Sequence, residues 1–195
     1  MKPAAKAVLS LTLGMLALVP AFAYEYPLSS TAIPEAYSVG AATNGESDRF
    51  FARYSRFLPA LRVGVYMSAV TIETPFVQVA EYSRQAKNYT VEDALRDFLD
   101  KPPSVFRVRL DLCLGGKESM PARVKATQSE KDLVPSAVER TPYFASQRHG
   151  PALVIGEHVT LEFQADRVAP EPLTLAIDTP DRQHSETTFD LARLK

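Results

Sequence analysis

The sequence of 195 residues has one cysteine, three histidines and no tryptophan. A single thiol, Cys113, cannot form an intramolecular disulfide, so a disulfide framework is excluded and the fold must rest on hydrophobic burial. The histidines (His149, His158 and His184) do not have the spacing of metal ligands, so no metal site is predicted. The absence of tryptophan removes the stacking platform common in sugar-binding clefts.

Short catalytic and nucleotide-binding motifs are also missing. The sequence has no Gly-x-Ser-x-Gly elbow and no Ser-x-x-Lys pair, and Gly115-Gly116 lacks the Lys-Ser/Thr that completes a phosphate-binding loop. No cofactor is therefore predicted. A catalytic site gathered from distant residues leaves no such local signature, so a hydrolase of that kind stays open as an alternative.

The balance of charge argues against a nucleic-acid partner. The chain has 22 basic and 23 acidic side chains, and binding to a phosphate backbone normally needs an excess of basic ones. Its hydrophobic fraction of 46% and charged fraction of 23% are typical of a folded globular protein.

The first 23 residues have the pattern of a secretory signal peptide. Two lysines precede an apolar run over residues 7–19, and Ala21-Phe22-Ala23 supplies the small residues of a cleavage site. The run is about 13 residues long, whereas a membrane span requires roughly 20. We expect cleavage after Ala23 and a soluble protein, periplasmic or extracellular, with no membrane span or acylatable cysteine in its mature N-terminal region.

Residues 24–61 are predicted to form a helical section. An amphipathic helix is indicated over Glu46–Leu58, and a shorter one over Thr31–Ala42 with Pro34 in its first turn. The polar face of the first of these carries three arginines: Arg49, Arg53 and Arg56. That stripe either is simply solvated, which Glu46 and Asp48 favour by diluting its charge, or contacts an anionic surface or ligand.

Residues 62–195 are predicted to be mainly β, with a helix near 91–100. The composition of Arg62–Arg84 indicates two strand segments that meet at Pro75. Thr90 is placed to cap the helix, and Pro102-Pro103 ends it. Thr90 also completes the glycosylation pattern Asn88-Tyr89-Thr90, but we favour its role as a helix cap.

The clearest strand is Val105–Leu114, in which apolar and mostly polar residues alternate strictly. It is predicted to form a hairpin with Ala122–Gln128, followed over Ser129–Pro151 by a long loop that contains at most a short helical or strand piece. Further strands are indicated over Glu157–Ala165 and in the C-terminal part of the chain. The predicted fold is α+β and mainly antiparallel β: a β-sandwich-like body with an N-terminal helical section and one inserted helix, forming one domain over residues 24–195.

Candidate binding residues lie on the polar sides of two of these strands. Arg107, Arg109 and Asp111 share one strand side, and His158 and Glu162 share a side of another. His158 and Glu162 are roughly 13 Å apart along a strand, which is too far to bind one ion. Cys113 alternates with the first group, so it is either a reactive thiol near guanidinium groups or a small side chain buried beneath the helical section.

These observations favour a non-catalytic interaction or structural module of the cell envelope or extracellular space. Its expected partner is another protein of that compartment. Two alternatives stay open: a hydrolase whose site is assembled from separated residues, and a small-ligand carrier with an apolar pocket between helices and sheet.

Overall fold

The computed structural model describes residues 24–43, 45–58, 69–86, 88–113, 123–145, 153–178 and 184–194. Within these ranges the chain forms four α-helices and nine strands in two antiparallel sheets, which confirms the predicted α+β, mainly antiparallel fold. The helices are α1 (Ala32–Ala41), α2 (Glu46–Ala52), α3 (Pro75–Gln85) and α4 (Val91–Leu99). The strands are β1 (Ser55–Phe57), β2 (Ala69–Glu73), β3 (Val105–Cys113), β4 (Arg123–Gln128), β5 (Lys131–Leu133), β6 (Ala137–Ala145), β7 (Leu153–Gln164), β8 (Pro172–Asp178) and β9 (His184–Asp190). The predicted signal peptide lies outside the described residues.

The two sheets share one hydrophobic core. The five-stranded sheet has the order β1-β2-β3-β7-β6, and the four-stranded sheet has the order β5-β4-β8-β9. Alternate residues of β3, among them Phe106, Val108 and Leu110, are fully buried, and the inward residues of β8 and β9 belong to the same cluster. The arrangement is sandwich-like, because each sheet buries one face and exposes the other.

Two side chains outside the central strands make contacts between distant parts of the fold. The guanidinium group of Arg56 in β1 lies 5.2 Å from the ring centroid of Phe189 in β9. The ring of Tyr24 packs edge-on against Phe106 at 5.7 Å, and its hydroxyl donates to the carbonyl of Ala165 at 2.5 Å. The residue that follows the predicted cleavage site is therefore part of the core.

The second strand segment predicted within Arg62–Arg84 is wrong, because residues 75–85 form α3. Thr74 is the N-cap of this helix, and its hydroxyl accepts a hydrogen bond from the N–H of Val77 at 3.2 Å. Pro75 occupies the first turn, where a missing N–H costs nothing. The proline thus starts a helix where a bend in a strand was expected, and the body contains two helices, α3 and α4, instead of one.

The other helices follow the predictions with shorter bounds. α1 and α4 lie where they were expected, and α4 begins with a capping box between Thr90 and Asp93. α2 ends at Ala52, six residues before the predicted end, and the chain then enters β1. Arg56 consequently leaves the predicted arginine stripe and contacts Phe189.

One prediction about strand pairing is also wrong, and the prediction of a long loop is only partly right. β3 pairs with β2 and β7, whereas β4 pairs with β5 and β8, so the expected hairpin partners lie in different sheets. The predicted loop over Ser129–Pro151 contains β5 and the nine-residue β6. β6 is an edge strand, and its residues 137–142 and 144 are exposed, whereas Tyr143 is partly buried. Such a strand shows no alternation of apolar and polar residues.

Helices α1 and α3 cross at very close range. A Cβ atom at Gly40 would lie 1.9 Å from the carbonyl oxygen of Ala80 and 2.0 Å from Oγ of Ser83. The hydroxyl of Ser83 in turn donates to the carbonyl of Tyr37 at 3.0 Å. Only a glycine at position 40 permits this distance between the two backbones.

We expect Gly40→Ala to destabilise the fold by about 1–3 kcal/mol, because α1 and α3 must move apart to admit the methyl group. The urea midpoint followed by circular dichroism measures the effect, with Ala41→Ser at the next, exposed position as control. Equal midpoints for the two variants would contradict the close crossing.

Candidate functional site

The structure brings all five predicted binding residues onto one face of the five-stranded sheet. In the ladder between β3 and β7, Arg107 lies opposite Glu162, and Asp111 lies opposite His158. Arg109 lies between them, opposite Thr160. Directly paired residues of an antiparallel sheet share a face, so these side chains stand together on the side away from the core. We call the outward side of β2, β3, β7 and β6 the polar face.

Two ion pairs and one histidine–aspartate hydrogen bond cross the polar face. Nε of Arg107 lies 2.8 Å from Oε1 of Glu162, and Nη2 of Arg109 lies 2.8 Å from Oε1 of Glu73 on β2. Nδ1 of His158 forms a short hydrogen bond with Oδ1 of Asp111. His158 and Glu162 thus have different partners, in line with the distance expected between them. No group of three His, Cys, Asp or Glu in the described ranges could hold a metal ion.

Glu73 is the residue of this face that the sequence analysis missed. Its side chain is only 10% exposed, although its partner Arg109 is 58% exposed. Burial raises the pKa of the Glu73 carboxyl, and the positive charges of Arg109 and Arg107 oppose that shift without cancelling it. The missed signal was its position at the end of a strand, directly before the Thr74-Pro75 helix start.

Next to the ion pairs, Tyr143 of β6 reaches across β7 to β3. In the ladder it lies opposite Gly156, which in turn lies opposite Cys113. A Cβ atom at Gly156 would lie 2.1 Å from Cε2 of Tyr143, so the ring occupies the place of the missing side chain. The Tyr143 phenol lies beside the Cys113 side chain, and the Tyr143 ring centroid lies 4.5 Å from that of His158.

This contact joins Cys113 to the polar face. Cys113 lies at the end of β3 on the same side as Asp111, where the alternation placed it, and it is partly buried. Burial raises the pKa of Tyr143 to about 12, and the negative charges of Cys113, Asp111 and Glu157 contribute in the same direction. Near neutral pH the phenol therefore keeps its proton.

A second ion pair that the sequence analysis missed lies on the reverse side of the same edge. Nη1 of Arg140 in β6 lies 2.9 Å from both carboxylate oxygens of Glu157 in β7, and Glu157 is 8% exposed. The alternation of β7 places this glutamate on the inward side of the strand, with Val159 and Leu161. A buried carboxylate needs such a partner, because desolvation without one is costly.

The remaining histidines do not join this cluster in the described structure. His149 lies outside the described residues. His184 lies on the outward face of the four-stranded sheet, where its hydrogen bond with Asp178, at 2.8 Å, raises its pKa.

The polar face is open to solvent. His158 and Asp111 are 57% and 51% exposed, so the His–Asp pair does not lie in a cleft. Two clefts in the described parts of the chain lie elsewhere, one between α1 and α2 and one beside the N-terminal residues Tyr24 and Tyr26. Neither contains a residue of the predicted site.

No family model, curated protein or solved structure matches the chain. Among the described helices, none is long and apolar enough to cross a membrane.

The raised pKa of Glu73 predicts a specific pH dependence of stability. Its folded-state pKa exceeds the value of about 4.5 in the unfolded chain, so its contribution is complete below that value and is lost as the pH rises through the folded-state pKa. We expect the free energy of unfolding of the wild type, minus that of Glu73→Gln, to fall as the pH rises above about 4.5. Urea denaturation at several pH values measures it. The matched control is Glu139→Gln, exposed on the same face, and a difference independent of pH would contradict the prediction.

The position of Tyr143 predicts the effect of a methyl group at residue 156. In Gly156→Ala the new atom meets the ring and also the carbonyl oxygen of Leu112, 2.4 Å away, which belongs to the backbone of β3. We expect a loss of about 1–3 kcal/mol in stability. The pKa of Tyr143 should fall from about 12 toward 10 as the ring leaves its place.

The absorbance of the phenolate measures this pKa, with the same variant in a Tyr143→Phe background subtracted to remove the other tyrosines. The control for stability is Ala137→Ser, a change at an exposed position of β6, the strand that contains Tyr143. An unchanged titration of Tyr143 in folded Gly156→Ala protein would disprove the contact.

Proposed function

We propose that the chain is a non-catalytic interaction module of the cell envelope or extracellular space, and that it binds another protein there through the polar face. The observation that carries this proposal is the assembly of five charged or titratable residues from β3 and β7 on one open sheet surface. Paired charges of both signs fix the orientation of a partner more than they add affinity.

The exposure of the His–Asp pair favours binding over hydrolysis. A hydrolase is expected to hold its base beside a nucleophile in a cleft, and His158 is 57% exposed on an open sheet. The surface also differs from the apolar cavity that a carrier requires. A flat polar surface of a β-sandwich is well suited to contact another folded protein.

The proposed compartment rests on the first 23 residues of the sequence. The position of Tyr24 is compatible with cleavage after Ala23, because the Tyr24 ring packs in the core. Export would also bring Cys113 into an oxidising environment without an intramolecular partner.

Photo-crosslinking in cells of the natural host tests both parts of the proposal. A photoreactive phenylalanine analogue replaces Glu139, an exposed residue on the β6 part of the polar face, or Glu186, an exposed glutamate on the outward face of the four-stranded sheet. We expect a defined protein adduct from position 139 and none from position 186. The chain should be recovered outside the cytoplasm without residues 1–23.

The three other outcomes count against the proposal. Equal adducts from both positions would contradict a specific face, and no adduct from position 139 would contradict the partner. Recovery of the uncleaved chain in the cytoplasm would contradict the compartment.

A further inference from the structure

The cleft between α1 and α2 combines an apolar floor with two arginines. Its volume is about 440 Å³, within the range of small-molecule sites. Phe50 is buried at its base, and Val39 and Ala42 are partly buried on the side of α1. Arg49 and Arg53 line the opposite side, and both are exposed.

These two arginines differ from their neighbours by what they contact. Arg84 pairs with Asp48 at 3.3 Å and lies 5.1 Å from the ring centroid of Phe51. Arg56 lies over the ring of Phe189. Among the described residues, the guanidinium groups of Arg49 and Arg53 have no hydrogen-bond, ion-pair or ring partner. They lie four positions apart, which places both on one side of the helix end.

Two acids also border the cleft and limit the charge that it accepts. Glu46 lies in the first turn of α2, where the helix dipole favours a carboxylate, and Glu35 of α1 has an interaction of its own. With these acids nearby, a group of two negative charges is disfavoured. One carboxylate suits the pair of guanidinium groups, because their planar donors match its two oxygens.

We propose that this cleft binds a small amphipathic monocarboxylate. Arg49 and Arg53 hold the carboxylate, and the apolar part of the ligand lies over Phe50 between the two helices. This site is separate from the polar face and concerns a small molecule, so it does not depend on the proposed protein partner. It assigns a ligand to two arginines of the predicted stripe, whereas the third, Arg56, contacts the Phe189 ring.

Isothermal titration of the full chain with octanoate tests the proposal. We expect saturable binding that the double variant Arg49→Gln/Arg53→Gln weakens about tenfold or more, which equals roughly 1.4 kcal/mol. The matched control is Arg96→Gln/Arg193→Gln, which changes two exposed arginines elsewhere and should bind like the wild type. Circular dichroism confirms that each variant is folded.

Three further probes separate the parts of the ligand. Acetate supplies the charge alone, octanol the chain alone, and inorganic phosphate a different anion. Weak or no binding of all three supports the proposal, whereas equal binding of octanol or phosphate overturns it. No saturable binding of octanoate, or the same affinity in the Arg49/Arg53 double variant, also overturns it. The latter result would indicate adsorption to another apolar part of the chain.

Discussion

The rest of the structure depends on the two-residue period of β3. The side chains of Phe106, Val108, Leu110 and Leu112 are almost completely buried, and those that alternate with them are partly or fully exposed. Burial at roughly 25 cal/mol for each Å² fixes this strand at the centre of the five-stranded sheet. A shift of one residue would exchange its two faces, so the register with β2 and β7 is strongly determined. The polar face exists because that register cannot slip.

The helices and strands with a strong periodic pattern were predicted correctly. Where one residue type suits two structures, as proline suits both a strand break and a helix start, the prediction was less accurate. Thr90 with Asp93 predicted α4, and the same logic applied to Thr74-Pro75 would have found α3. Proline was read there as a strand breaker, although the first turn of a helix tolerates it equally well. β6 left no alternation because its side chains meet water on both faces. Its partner strands could not be inferred, since pairing depends on contacts between residues distant in the sequence.

For the candidate site, the residues that share a strand side could be predicted, whereas their partners on neighbouring strands could not. Alternation placed Arg107, Arg109 and Asp111 together, and a second strand supplied His158 and Glu162. Which strand lies beside which decides the partners, so Glu73 and Tyr143 were out of reach. The buried Arg140–Glu157 pair was hidden for another reason: a charged residue at an inward position contradicts the pattern from which strands are recognised.

Tyr143 makes the two ends of the edge strand β6 different. Its ring extends from the outermost strand over Gly156 to Cys113, so one side chain holds three strands together at the Ala145 end of β6. A pull that starts there must lift the ring before the ladder opens. Separation of β6 that starts at Ala137 instead breaks backbone hydrogen bonds and the Arg140–Glu157 pair before it reaches Tyr143. Opening this edge from the Ala145 end therefore displaces a side chain that is packed on the neighbouring strands. Opening it from the Ala137 end breaks polar contacts, including the two hydrogen bonds from Ser136 to the carbonyl of Glu162.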